Sequence, residues 1–265
     1  MGSPLRYSSE DLTAKYSLDR DTTEGAFDSF DRGRAILLAF SGKIGAGKDS
    51  VAPKTFEALH QLEAPVRTDA FGADLKSELN GLISVTASHG AAEPAAREIA
   101  SSSGVTLEEA RHTVELMLPE ISEGTLTNAY DRTTGSRAAL QYWATEVRRA
   151  QDPLYWVKPV IERTIAAAAR GISTQITDVR FLTEAWGAID SGGWTIRLDV
   201  SPEEQRKRIL ARDGIEISEA AKSHSSETEL DSFQRFAVRI STDGYSSAKA
   251  VARAVAIGVE VVADI

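Results

Sequence analysis

The sequence predicts an α/β fold of three layers, a mostly parallel central sheet with helices on both faces and a helical insertion or lid. Three observations predict it. Short apolar runs alternate with stretches whose apolar residues recur at helical spacing, the pattern of strand–helix–strand units. The chain has 265 residues, 42% of them hydrophobic, enough for one elaborated domain or two small ones around a real core. The first apolar run ends in a glycine-rich turn followed directly by a helical pattern.

The elements follow in order. Residues 1–34 are polar and charged and read as an N-terminal extension, with a helix-start signal, SSEDL, near Ser8 and Ser9. Residues 35–40, AILLAF, form a buried strand, and residues 51–62 a helix. A second strand is expected over 66–71 and a helix over 73–83. Residues 84–135, rich in Ala, Ser, Glu and Gly, read as the helical insertion. Two helices, 137–150 and 155–170, are split by Asp152-Pro153. Strands at 174–181, 194–200 and 236–241 alternate with helices at 183–190, from 201 onward, and 246–262. Ser201-Pro202-Glu203-Glu204 opens its helix with a cap, a proline in the first turn and acids at the positive end. The whole of 35–265 is expected to be one domain, with the insertion at 84–135 and a lid at 201–228.

A net charge of −9 argues against a dedicated nucleic-acid binder, because phosphate backbones select a positive surface. There is no cysteine, which excludes disulfides, thiolate catalysis and cysteine-ligated metal and fits an intracellular protein. No apolar run approaches membrane-spanning length, so a cytoplasmic protein is expected. The four histidines show no metal-ligand spacing.

FSGKIGAGKDS, residues 40–50, matches G-x-x-x-x-G-K between a strand and a helix. Glycines let successive N–H groups converge on phosphates, and the helix N-terminus adds positive potential. The stretch Gly42, Lys43, Gly45, Ala46, Gly47, Lys48, Asp49 and Ser50 is therefore a candidate ATP cradle, a P-loop, with Lys48 bridging the β and γ phosphates. Asp49 stands where a magnesium-binding hydroxyl is usual. Its carboxylate either holds Mg²⁺, directly or through water, or caps the helix.

Ser41-Gly42-Lys43 with Gly47-Lys48-Asp49 resembles the phosphate loop of phage deoxynucleoside monophosphate kinases, and also that of animal-type phosphomevalonate kinases. Further segments resemble the phage family in order: Arg137 to Arg149 with Leu140-Gln141, Asp152 to Val157, Ile176 to Phe181 with Glu184, and Ser225-Ser226-Glu227 with Leu230-Asp231. Ala144 replaces a usual glycine, and neither residues 1–34 nor 84–130 have a counterpart. The resemblance implies transfer of phosphate from ATP, with Mg²⁺, to a deoxynucleoside monophosphate for DNA precursor synthesis. It implies a host cytoplasm if the protein is phage-encoded, and leaves a homodimer open.

A monophosphate kinase must gather cations around two polyanions. Arg180 and Asp178, at the C-terminal end of a strand, are expected to grip the acceptor phosphate and to order a magnesium-bound water or the acceptor. Arg137 and Arg149 flank a helix near its opposite ends, one of them placed to reach that phosphate, Gln141 is placed to read a base edge, and Arg148 is expected to face solvent. Lys76, in a segment resembling "GPLK", belongs to the acceptor side with Asp69 and Glu184. Phe71, Trp143 and Trp156 are candidates to stack on a nucleobase. Arg208 and Arg212, four apart on one helix, are expected to close over the ATP phosphates as lid arginines. The rival readings are a phosphomevalonate or other small-metabolite kinase, and a non-catalytic nucleotide-binding module. A guanine-reading N-K-x-D is absent from the sequence.

Overall fold

A computed structural model of the chain describes residues 35–59, 65–131, 133–214, 216 and 222–263. The expected N-terminal extension, His60 and part of the expected lid lie outside the described residues. The chain divides into two compact units, one made of residues up to Ala70 together with Val160–Ile265, the other of Phe71–Pro159.

The first unit is built on five strands: β1 (Leu37–Ser41), β2 (Val66–Asp69), β3 (Ser173–Val179), β4 (Trp194–Asp199) and β5 (Val238–Ser241). Their order is β2-β3-β1-β4-β5 and every pairing is parallel. A parallel pair needs a long crossover, and helices supply it. They are α1 (Lys48–Ala58) after β1, α7 (Leu182–Asp190) after β3 and α8 (Pro202–Asp213) after β4, while α10 (Ala248–Ala263) follows the last strand, β5. α6 (Val157–Ala168) leads into β3, and the short α9 (Ser225–Thr228) precedes β5.

Strand β1 is buried along its whole length, which explains why LLAFS carries no polar alternation. Leu38 and Phe40 join one core with Val51, Ala52 and Phe56 of α1 and Val251, Val255 and Val259 of α10. Leu37 faces the other way and closes on Gly193, where a Cβ would come within 2.6 Å of its side chain. α7, which ends just before that glycine, packs on β1 and β4. The chain therefore leaves β1 toward one face and leaves the neighbouring β3 toward the other. Connections that part in this way open a crevice at the C-terminal ends of the two strands, the place where open α/β sheets bind ligands.

The second unit is helical: α2 (Phe71–His89), α3 (Ala92–Ser103), α4 (Leu107–Ser122) and α5 (Thr134–Gln141), which runs on as a π-helical segment, Tyr142–Arg149. α4 opens with a full capping box, Thr106 accepting from Glu109 N–H and Glu109 accepting from Thr106 N–H. Its core joins Leu79, Ile83, Ile99, Val114, Met117, Trp143, Val147 and Trp156. Among the described residues, no helix is long and apolar enough to cross a membrane.

Candidate phosphate-binding site

The glycine-rich stretch folds as a closed loop between β1 and α1. Gly42 stands where a side chain does not fit, since a Cβ there would lie 2.5 Å from the Leu198 carbonyl oxygen. Gly47 takes φ 89° at the N-cap of α1, a conformation that L side chains rarely adopt. At the start of α1, Ser50 N–H donates to the Gly47 carbonyl (3.0 Å), and the N–H groups of Lys48 and Asp49 before it fall ahead of the first intrahelical hydrogen bond, beside the same bend. Lys48 folds back across the loop, donating from Nζ to the carbonyls of Gly42 (2.5 Å) and Lys43 (3.2 Å). It is 7% exposed. Burial first, and the Arg180 charge second, pull its pKa from 10.5 down to about 7, against the opposing pull of Glu227, Asp49 and Asp178.

That list of neighbours defines the site. Ser41, at the end of β1, is paired with Val179 at the end of β3, so Asp178 and Arg180 arrive beside the loop. Arg180 is held twice. Glu184, 2% exposed, accepts from the backbone N–H of Arg180 (2.7 Å) and of Phe181 (3.1 Å), fixing the turn into α7. The Arg180 guanidinium forms an ion pair with Glu227, whose other carboxylate oxygen accepts from Ile44 N–H of the loop (2.8 Å). The Lys43 side chain turns outward to Asp231 (2.8 Å).

Helix α8 braces the loop from the side. Ile209, 3% exposed, packs against Gly45, and Gln205 donates to the Ile44 carbonyl (2.8 Å). Arg208 donates to the carbonyl of Gly45 (3.3 Å), to the hydroxyl and carbonyl of Thr242, and to Glu204 (2.9 Å). Arg212 bonds Asp213 through two nitrogens, and those bonds hold its pKa up, with a smaller push from the Asp49 charge. Arg208 thus grips loop backbone in this structure, where the sequence leads one to expect a cation directed at phosphate. Gln205 is a neighbour that sequence reasoning missed, and Glu227 stood in a matched segment without a role, since neither lies within the glycine motif.

Several expectations are corrected. Asp69, expected to touch substrate, is 7% exposed and takes hydrogen bonds from Arg67 (2.7 Å), Arg163 (3.0 Å) and Ala70 N–H (2.9 Å), so its carboxylate ties the end of β2 to α6. Glu184 acts on the backbone of Arg180, which makes it a positioning residue. Phe71, Trp143 and Trp156 are at most 2% exposed and offer no ring face for stacking; Trp156 donates to the Ala144 carbonyl.

In the second unit, Arg148 is 8% exposed, where a solvent-facing side chain is expected. It pairs with Glu78 (3.0 Å) and lies 4.8 Å from both the Trp143 and Tyr155 ring centroids. The π-helical turns are the reason, because an i→i+5 ladder shifts every later residue around the axis relative to ordinary helical spacing. Gln141 is exposed and Arg137 half-buried on α5, Arg149 ends the π segment, and Lys76 sits over the Tyr130 ring at 4.9 Å. All belong to Phe71–Pro159.

Asp49 and Asp178 supply hard oxygen donors beside Lys48. Among the described residues no group of three or more His, Cys, Asp or Glu side chains gathers as a metal site. Mg²⁺ keeps several waters and takes much of its shell from phosphate, so one or both of these carboxylates would suffice to hold it.

No family model and no curated protein matches the sequence. Among solved structures, a gluconokinase from Sinorhizobium meliloti 1021 matches with a TM-score of 0.43 and 14% identity, over 88% of this chain and 96% of that one. The overlap is loose, and the chemistry rests on the geometry above.

Proposed function

We propose that the chain is an ATP-dependent phosphotransferase acting on a small phosphorylated acceptor, and that the acceptor is a deoxynucleoside 5′-monophosphate. The observation that carries the first part is Lys48. Its amine is buried at the mouth of a glycine loop, held by two loop carbonyls, with Arg180, Asp178 and Asp49 around it. A buried cation with a lowered pKa beside convergent amides is built to receive a polyanion. The loop amides would bind the β-phosphate, Lys48 would follow charge onto the β–γ bridge, and Arg180 would hold the acceptor phosphate. An acceptor phosphate oxygen attacks the γ-phosphorus, the bond to the β-phosphate oxygen breaks, and ADP leaves. That oxygen is already anionic, so no strong general base is required. Asp49 and Asp178 would hold Mg²⁺, which supplies charge neutralisation on the transferred group.

The deoxynucleotide acceptor is supported by the order of the segments around Gln141, Asp152, Asp178 and Glu227. An ADP-release assay with the deoxynucleoside monophosphates, their ribose counterparts and phosphomevalonate tests it. One or more deoxynucleotides should give turnover at least tenfold above phosphomevalonate, on the order of 1.4 kcal/mol of discrimination. Turnover with phosphomevalonate alone would move the chain to the small-metabolite kinases, and no turnover with any acceptor would leave a binding module.

A further inference from the structure

Beside the loop lies a segment whose acidic side chains all point at donors of the cradle or its rim. Glu227 accepts from Ile44 N–H at 2.8 Å and pairs with Arg180. Glu229 accepts from Leu182 N–H at 2.7 Å. Asp231 receives both Lys43 (2.8 Å) and Arg197 (2.9 Å). Leu230 and Phe233, 2% and 6% exposed, anchor the segment between these contacts. Of the three acids Glu227 is the one inside the site: its side chain is 9% exposed, and its charge is felt by Lys48.

We propose that Glu227 sets the affinity of this site for phosphate, because its carboxylate holds the donors that a nucleotide phosphate oxygen needs. The inference rests on the reading of residues 42–48 as a phosphate loop. A carboxylate oxygen and a phosphate oxygen accept the same hydrogen bonds, from a loop N–H and from a guanidinium. Two anionic groups do not share one such position without strong repulsion. A bound polyphosphate therefore displaces the Glu227 carboxylate, and the displacement frees the Arg180 guanidinium to turn to phosphate. Binding of the nucleotide and release of the 225–231 segment become one event.

The test uses inorganic tripolyphosphate, which carries no base or sugar and reports on the phosphate donors alone. Calorimetric titration of the full chain compares wild type, Glu227→Gln and Lys48→Ala. Glu227→Gln keeps the shape and removes the charge, so it should bind at least about tenfold more tightly than wild type. In wild type, hydrogen exchange over 225–231 should quicken when tripolyphosphate is added, a measurement that needs no variant and stands if Glu227→Gln folds poorly. Equal or weaker binding by a folded Glu227→Gln, or slower exchange over that segment, overturns the proposal while leaving the loop reading intact. Binding by wild type that Lys48→Ala leaves unchanged, or no binding by wild type and Glu227→Gln alike, overturns the loop reading itself.

Discussion

At Lys48 the fold places a positive charge where burial penalises it, and the penalty has consequences at two levels. Its folded pKa is lowered to about 7 from 10.5. Between those values the unfolded chain keeps the proton and the folded chain does not, so this group's contribution to stability rises with pH across that window. Below pH 7 the amine is charged in both states and the full burial cost is present. A polyphosphate beside the amine restores the charged form, so binding above pH 7 should take up a proton and weaken as pH rises further. Titration calorimetry at pH 8 in buffers of different ionisation enthalpy reads that uptake directly, and zero uptake would mean that Lys48 does not meet the phosphate. Gly42→Ala tests the other end of the loop. Its Cβ would lie 2.5 Å from the Leu198 carbonyl oxygen, an overpacking that should cost about 1–3 kcal/mol in a denaturant melt.

Helices α8 and α5 show how much an element's role depends on what its neighbours do. The start of α8 is legible from Ser201 and Pro202, and its arginine spacing is legible too, but the partners of Arg208 come from Gly45 and Thr242, which no local pattern connects. Arg208→Ala should loosen the loop from α8 and weaken ATP binding several-fold while leaving the sheet melting as before. A direct lid role would show instead as lost turnover at unchanged affinity. In α5 the sequence announces a helix and conceals the π-helical turns, since an i→i+5 ladder has no residue signature comparable to a cap or a glycine. That single misjudged register turns Arg148 from an expected solvent-facing side chain into a buried partner of Glu78. Arg148→Ala should cost on the order of 2 kcal/mol in a thermal or denaturant melt, because the half-buried Glu78 carboxylate loses its cation and the Trp143 and Tyr155 rings lose the guanidinium packed against them. A truly exposed arginine would cost under about 0.5 kcal/mol.

For the molecule as a whole, the parallel sheet and its loop could be read from residues 35–48 and from the alternation of strands and helices. The strand order could not, because it depends on which β-edges meet across gaps of more than a hundred residues, as Leu37 meets Thr174. The site divides in the same manner. The nearness of Lys48 and Arg180 was legible from a motif and a strand end, whereas Asp69, Glu184 and Trp156 have the right chemistry for substrate contact and are held by hydrogen bonds and packing within the fold. Phosphoryl transfer at the 42–48 loop is tested most directly by ADP formation from ATP by the full chain with deoxynucleoside monophosphates present, wild type beside Lys48→Ala, with circular dichroism of both. Turnover in wild type that falls by at least about a thousandfold in a folded Lys48→Ala, some 4 kcal/mol of lost transition-state stabilisation, is the predicted result. Undiminished turnover in that variant would contradict it.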